Sequence, residues 1–415
     1  MIAARSYGKV SAVESSCIQA RLAGLAIDDT VCVVRRDGRA IAATVTALEG
    51  ARARLAPLAG CEGIAIGDRV ESGAQSGSLV LGMALLGRAI DSSGEPLDGL
   101  GLLQGRRLPT RIEAPSVSER VPITSPLWTG IRAVDALVTL GRGARLGVFG
   151  APGVGKSTLL ETIVEHAACD AVVLGLIGER GRESVEWVGR LGPRMTIVSA
   201  PADRPAAARV RAAYLAVAQA VRLRALGLDV LLVLDSVARF GQALRELAVA
   251  SGEPVGRGGY PASVFARLAR LLEAGGATAG GSLTMLASVL GDGDERDPLS
   301  EAAQALLDGH LMLSRTLAAA GHFPAIDVSA SLSRTMGAVT SPRHRRAALA
   351  LRAALAHLAE TKEARGLGLA PGDASVLRAV ALEPALEAFL RQGSEPADPP
   401  ETLRVLTQLA DTFEG

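Results

Sequence analysis

Lysine is almost missing from this chain: of its 44 basic side chains, only Lys9, Lys156 and Lys362 are lysines. Arginine serves nearly everywhere else, so a lysine kept inside a motif carries weight. Aromatic residues make up 3 % of the sequence, and within the first 75 positions Tyr7 stands alone. Single-stranded nucleic acid is bound by stacking bases on aromatic side chains, so that scarcity argues against such a role for the N-terminal part. The formal net charge is +1, and no overall field recruits nucleic acid or an anionic membrane. No run of about 18 or more apolar residues is free of charges and turn formers, so no membrane-spanning helix is expected. The N-terminus MIAARSYGKVSAVESS has no apolar core of signal-peptide length, which predicts a cytoplasmic protein. The four cysteines, Cys17, Cys32, Cys61 and Cys169, lack C-x-x-C spacing and read as reduced core or surface residues.

Against these absences stands the stretch Gly150, Ala151, Pro152, Gly153, Val154, Gly155, Lys156, Ser157, Thr158. It fits G-x-x-x-x-G-K-[ST], a loop whose glycines let backbone N–H groups close around the phosphates of a nucleotide. Residues 145–149 before it read as a short buried strand. Residues 157–168 after it place Leu159, Leu160, Ile163, Val164, Ala167 and Ala168 at helical spacing. Strand, glycine turn and helix aim the helix N-terminus, with its free N–H groups, at an anion.

Residues 1–75 carry short β-rich runs, such as 30–34 and 42–46, broken by Asp37-Gly38, Glu49-Gly50, Glu62-Gly63 and Gly67-Asp68. That rhythm predicts a small closed β-barrel that packs subunits together. From 76 to about 125 a Gly-, Pro- and Ser-rich crossover leads into a core domain extending to 345. There, apolar strands at 145–149, 171–177, 195–199, 229–234, 283–290 and 325–329 alternate with helical stretches, which predicts a mainly parallel sheet covered on both faces. Residues 346–415 turn helical, with candidate helices at 347–363 and 402–413 separated by a break at 370–373 and a polar segment at 392–400. The basic run 343–346 reads as a solvated or interface-paired helix start, and His310 and His322 as structural.

Nucleotide hydrolysis also needs a metal carboxylate, a water activator and a cation for the transition state. Asp235 ends the apolar strand 229–234, as a Walker B carboxylate does, and Ser157 supplies a hydroxyl for magnesium. Strand 171–177 runs into Gly178, Glu179, Arg180, Gly181, Arg182 and Glu183. Glu179 is the candidate base. Glu183 could act through magnesium waters and Arg180 could touch the γ-phosphate. Arg334 follows strand 325–329, and from a neighbouring subunit it would be an arginine finger.

The blocks 126–135, 150–158, 178–183, 235–240, 252–254 with 259–265, 307–310 and 324–334 resemble, in order, those of the type III secretion and flagellar export ATPases, relatives of the catalytic subunit of rotary ATP synthases. The resemblance implies an α/β fold: a RecA-like P-loop ATPase core with an N-terminal β-barrel and a C-terminal helical domain, in a homohexameric ring that can stack. It implies Mg2+ as cofactor with ATP as substrate, Lys156 on the β- and γ-phosphates, Glu179 on water, Arg180 on phosphate, Asp235 on magnesium and Arg334 in trans. It implies stator and central-stalk partners, secretion chaperones and their substrates, no nucleic acid, and a peripheral place at the export gate of the inner membrane. Both Glu179 and Arg334 lie in one chain, so like chains complete six like sites. The family usually supplies an aromatic against the adenine from the C-terminal domain. Here that position falls near Leu369, with no aromatic nearby. Leu244 and Gly258 stand where relatives often have glutamine and arginine, which predicts different pore-side contacts. The short N-terminal extension favours the injectisome branch over the flagellar one. A rotary ATP-synthase-type subunit, a hexameric RNA translocase and a non-hydrolysing ring are the competing readings.

Overall fold

The computed structural model describes residues 6–72, 77–110, 112–290, 297–367 and 373–415. Its first part is a closed antiparallel barrel of six strands, in the order Ser6–Val13, Ile18–Arg21, Arg52–Pro57, Ala40–Glu49, Thr30–Val34 and Arg69–Ser72. Alternation drives closure. In Ala40–Glu49 the side chains of Ile41, Ala43 and Val45 point inward, and Val31 and Val33 meet them from the neighbouring strand.

The centre is a sheet whose main path runs Ile326–Ser333, Gly309–Leu313, Arg145–Gly150, Ser282–Leu290, Asp229–Asp235, Ala171–Ile177, Met195–Ala200 and Arg88–Asp91. Pairing along it is parallel except for Ile326–Ser333, which runs antiparallel to Gly309–Leu313. The strand Ala171–Ile177 is buried at every position, as a sheet covered on both faces requires. Two strands differ from the sequence expectation. Arg88–Asp91, inside the stretch read as a crossover, adds an edge strand beside Met195–Ala200. Gly309–Leu313 lies between the phosphate-loop strand and the edge; at five residues with alternating burial it is too short to stand out by composition.

Three helices, Pro342–Gly366, Ala374–Leu390 and Pro399–Glu414, complete the chain. The middle one was not anticipated, since Pro384 interrupts its pattern. Their apolar faces do not form a separate core. Leu351, Leu386, Leu406 and Phe413 share one cluster with Val134 and Leu137, with Leu146 and Val148 of the phosphate-loop strand, and with Ile163 of the helix after the loop. Leu244 belongs to the core on the opposite face and is 2 % exposed, which corrects its expected pore-side position. Gly258 has φ 62 and a Cβ there would lie 2.7 Å from Cγ of Pro298, so a side chain would be strained by the backbone and would press on the proline ring.

Asp135 knots this arrangement. Fully buried, it accepts hydrogen bonds from Thr129 N, Thr129 Oγ1 and Gly130 N at 2.8, 2.8 and 3.0 Å. Burial pushes its carboxyl up to about 7 despite these donors. Asp135→Ala leaves three donors without an acceptor and should lower the melting temperature by roughly 5 °C or more, read by circular dichroism.

Candidate active site

The phosphate loop leaves the carboxyl end of Arg145–Gly150 and enters the helix Lys156–His166. Ala151 and Val154 are buried beneath the loop, while Pro152, Gly153, Ser157 and Thr158 are exposed on its outer side. Gly153 and Gly155 have φ 83 and 88, a left-handed conformation that favours glycine. At Gly150 a Cβ would stand 2.9 Å from Cγ2 of Val154 and 3.0 Å from Cβ of Leu313, so the turn closes only around glycine.

The parallel order brings other chemistry to the same edge. One strand away from the loop strand is Ser282–Leu290, then Asp229–Asp235, then Ala171–Ile177. Asp235 is the last residue of its strand, 7 % exposed, and its side chain takes no hydrogen bond among the described residues. Ser236 follows and caps the helix Val237–Ala250 by accepting from Arg239 N at 3.3 Å. Gly178 and Glu179 follow Ala171–Ile177, and Arg180 stands just before the helix Gly181–Gly189 without a capping bond from its side chain. Glu183 is half-buried in the first turn of that helix, whereas Arg180 is exposed.

Four charged side chains act on Lys156. Burial lowers its pKa, and the carboxylates of Asp235, Glu179 and Glu183 partly restore it against the repulsion of Arg239. Glu179 is raised in turn, first by burial, then by Asp235, with Arg239 opposing. Lys156, Glu179, Glu183 and Asp235 therefore act on one another electrostatically. Arg239 joins them, and its role was not foreseen. Its Nε, buried and without a hydrogen-bond partner, lies 4.0 Å from Glu179 Oε1. Gly178 makes room for it: a Cβ at Gly178 would come within 3.0 Å of Cβ of Arg239.

Arg334 lies elsewhere. Ser333 pairs with Gly309, and Gly309 pairs with Leu146 near the start of the loop strand. From Leu146 to Gly150 is four residues of strand, roughly 13 Å, so Arg334 sits at the amino edge of the sheet while the loop sits at the carboxyl edge. Its backbone N donates to Asp308 O at 2.9 Å, and the Asp308 carboxylate holds Arg145 through N, Nε and Nη2 at 2.9, 3.1 and 3.2 Å.

A second unforeseen residue is Phe323. The position near Leu369, where an aromatic was sought, lies outside the described residues. The aromatics exposed by more than a third are Tyr7, on the barrel, and Phe323, at 45 %. The Phe323 ring lies 3.2 Å from where a Cβ on Gly155 would stand, so an open aromatic face borders the phosphate loop. Residue 323 is 46 positions upstream of the expected one, and only the fold brings it here.

A glycine loop capping a parallel strand, with carboxylates at the ends of neighbouring strands, defines a P-loop nucleoside triphosphatase. The profile of the ATP synthase alpha/beta family, nucleotide-binding domain, matches residues 130–333. The flagellum-specific ATP synthase of Salmonella typhimurium is 40 % identical over 99 % of this chain and 95 % of its own length. The type 3 secretion system ATPase of Pseudomonas syringae pv. syringae is 41 % identical over 98 % of this chain and 94 % of its own. Among solved structures, the assembled ATPase EscN in complex with its central stalk EscO, from the enteropathogenic E. coli type III secretion system, superposes with a TM-score of 0.89 at 34 % identity, covering 97 % of this chain and all of that one. The chain belongs to the family of type III secretion and flagellum-specific ATPases and is an ATP-hydrolysing enzyme.

Two outcomes are expected. Glu179→Gln keeps the shape of the site and should bind ATP within a few-fold of wild type while losing about 100-fold or more in turnover, measured by phosphate release alongside nucleotide binding. If Glu179 is the base, it works deprotonated, and the rate rises with pH through its pKa, which burial and Asp235 hold above the ordinary glutamate value. Arg239→Ala removes the cation that lowers it, and the acid limb of kcat/KM should move to higher pH.

Proposed function

We propose that this chain is the ATPase of a type III protein secretion apparatus, coupling hydrolysis of magnesium-ATP in a homohexameric ring to chaperone release and to unfolding and export of secreted proteins. One observation carries the ring: Glu179 and Arg334 belong to the same chain yet lie at opposite edges of its sheet. An arginine rooted roughly 13 Å along the strand from the loop cannot serve its own site, and a neighbour in a closed ring presents it to the next one.

In this reading the loop N–H groups and the Lys156 ammonium hold the β- and γ-phosphates, and Arg180 reaches the γ-phosphate. Among the described residues no three His, Cys, Asp or Glu side chains gather into a metal cage, which suits an ion that keeps waters and shares the phosphates. Ser157 and the otherwise unpartnered Asp235 would hold that magnesium, with Glu183 reaching it through water. When bound, it neutralises charge on the phosphates. Glu179 takes a proton from the attacking water, and Arg334 of the next subunit meets the charge that develops on the transferred group. The exposed face of Phe323 stacks on the purine, a role sought in the C-terminal domain and supplied here by the core.

A central-stalk protein like the one that accompanies EscN, stator proteins, and chaperones with their cargo are the partners. The place of work is the cytoplasmic side of the inner membrane, at the export gate. No helix among the described residues is long and apolar enough to cross a membrane. Flagellar export uses the same chemistry, and the flagellum-specific relative is as similar as the secretion one. Capture of injectisome or flagellar stalk protein separates the two.

Mixing tests the shared site. Lys156→Ala and Arg334→Ala rings should each be inactive. Equal mixing should restore up to about a quarter of wild-type sites, since half the subunits keep each residue independently. No recovery in mixed rings confirmed by mass would sink the trans assignment.

A further inference from the structure

Gln392 follows the helix Ala374–Leu390 and is half-buried against the core. Its amide uses both donors and an acceptor. Oε1 accepts from Arg132 N at 2.8 Å, and Nε2 donates to Gly130 O at 2.7 Å and to Glu395 O at 2.8 Å. Its backbone N donates to Phe323 O at 2.9 Å. One residue thus ties the C-terminal helices to two parts of the ATPase core.

Both attachment points border the phosphate-loop helix. The Phe323 ring lies against Gly155, at its N-terminal end. Gly130 lies at its C-terminal end, where a Cβ would come within 3.0 Å of Cβ of His166 and 3.3 Å of Cβ of Pro396. Gly130 O accepts a second bond, from Ala397 N at 2.8 Å. The loop that Gln392 grips is itself stiff, because the buried Asp135 carboxylate holds Thr129 and Gly130. A stiff loop fixes Gln392, and Gln392 fixes the carbonyl of Phe323.

We propose that Gln392 is a positioning residue for the base: its amide anchors the C-terminal segment to residues 129–132, and its backbone N–H holds Phe323 beside Gly155. The C-terminal helices thereby set the affinity for the purine without touching the nucleotide. The inference rests on Phe323 as the purine's wall, as proposed above. It leaves Lys156, Glu179 and Asp235 alone, so the base and the phosphates should respond differently.

The full chain is assayed as wild type, Phe323→Ala, Gln392→Ala and the double variant. KM and kcat for ATP are measured, with inorganic tripolyphosphate, which has no base, as competitor. Phe323→Ala should raise KM for ATP about tenfold, the loss of one stacking contact. Gln392→Ala should raise it about three- to tenfold, with kcat and the tripolyphosphate inhibition constant within about twofold of wild type. The double variant should match Phe323→Ala alone, since residues acting through one another do not add. Equal weakening of ATP and tripolyphosphate, or effects that multiply in the double variant, would overturn the inference. So would a raised KM in Phe323→Ala with none in Gln392→Ala, which leaves the purine wall standing. An unchanged KM in Phe323→Ala removes the wall and this inference together. Should Gln392→Ala not fold, Gln392→Glu, which keeps an acceptor for Arg132 N and loses both donors, is measured in the same way with the same expected direction.

Discussion

The cost of burying charge at one edge of a sheet governs this molecule. Lys156 lies in a place where burial disfavours its ammonium, and Glu179 where burial and Asp235 disfavour its carboxylate. Side chains so placed are not stable choices for their own sake. They persist because the backbone leaves them nowhere else to go. The strand order sets the carboxyl ends that carry the loop, Asp235 and Glu179 along one edge, with Ser282–Leu290 between the first two, and each strand ends where the next residue must turn. In the proposed site a polyanion would relieve the lysine, while the same negative charge would further disfavour the carboxylate of Glu179. Arg239, 4.0 Å from Glu179, moderates that conflict before any ligand arrives.

That edge depends on support from the C-terminal end of the chain. The C-terminal helices share the apolar cluster that lies under the phosphate-loop helix, so they brace the loop rather than decorate the core. The barrel, by contrast, closes on its own cluster of Val10, Ile18, Val31, Val33, Val45 and Leu55. It meets the core through a small patch, where Ala56 and Leu58 pack on Ala207 and Ala208 and Arg267 pairs with Asp28. Helices continuous with the catalytic core cannot move without the core registering it.

Much of this was legible in the residues. The phosphate loop is dictated locally, because only glycine tolerates the φ values and contacts at Gly150, Gly153 and Gly155. Asp235 and Glu179 were readable because a fully buried strand announces its own end, and the next polar residue must lie at the rim. Phe323 was not readable, since its partner Gly155 is 168 positions away and the contact exists only through the sheet order. Arg239 was hidden for the same reason, visible in sequence only as one more arginine on a helix. Leu244 was misplaced because helix position alone does not say which face is covered, and the structure covers it. The strand Gly309–Leu313 was too brief for its alternation to register against its surroundings.

The pairing of Arg145 with Asp308, and of Asp308 with the backbone of Arg334, has a mechanical meaning for the proposed ring. One six-residue strand carries the phosphate loop at its front end and, through Asp308, whose carboxylate holds Arg145 and whose backbone carbonyl accepts from Arg334 N, roots the finger at its back end. A strand held on both sides is a stiff connecting rod, so a shift forced on the loop when phosphate leaves arrives at the rear with little loss. In the proposed ring the loop of one site and the finger of the next are thereby mounted on the same strand, and neither can shift without loading the other.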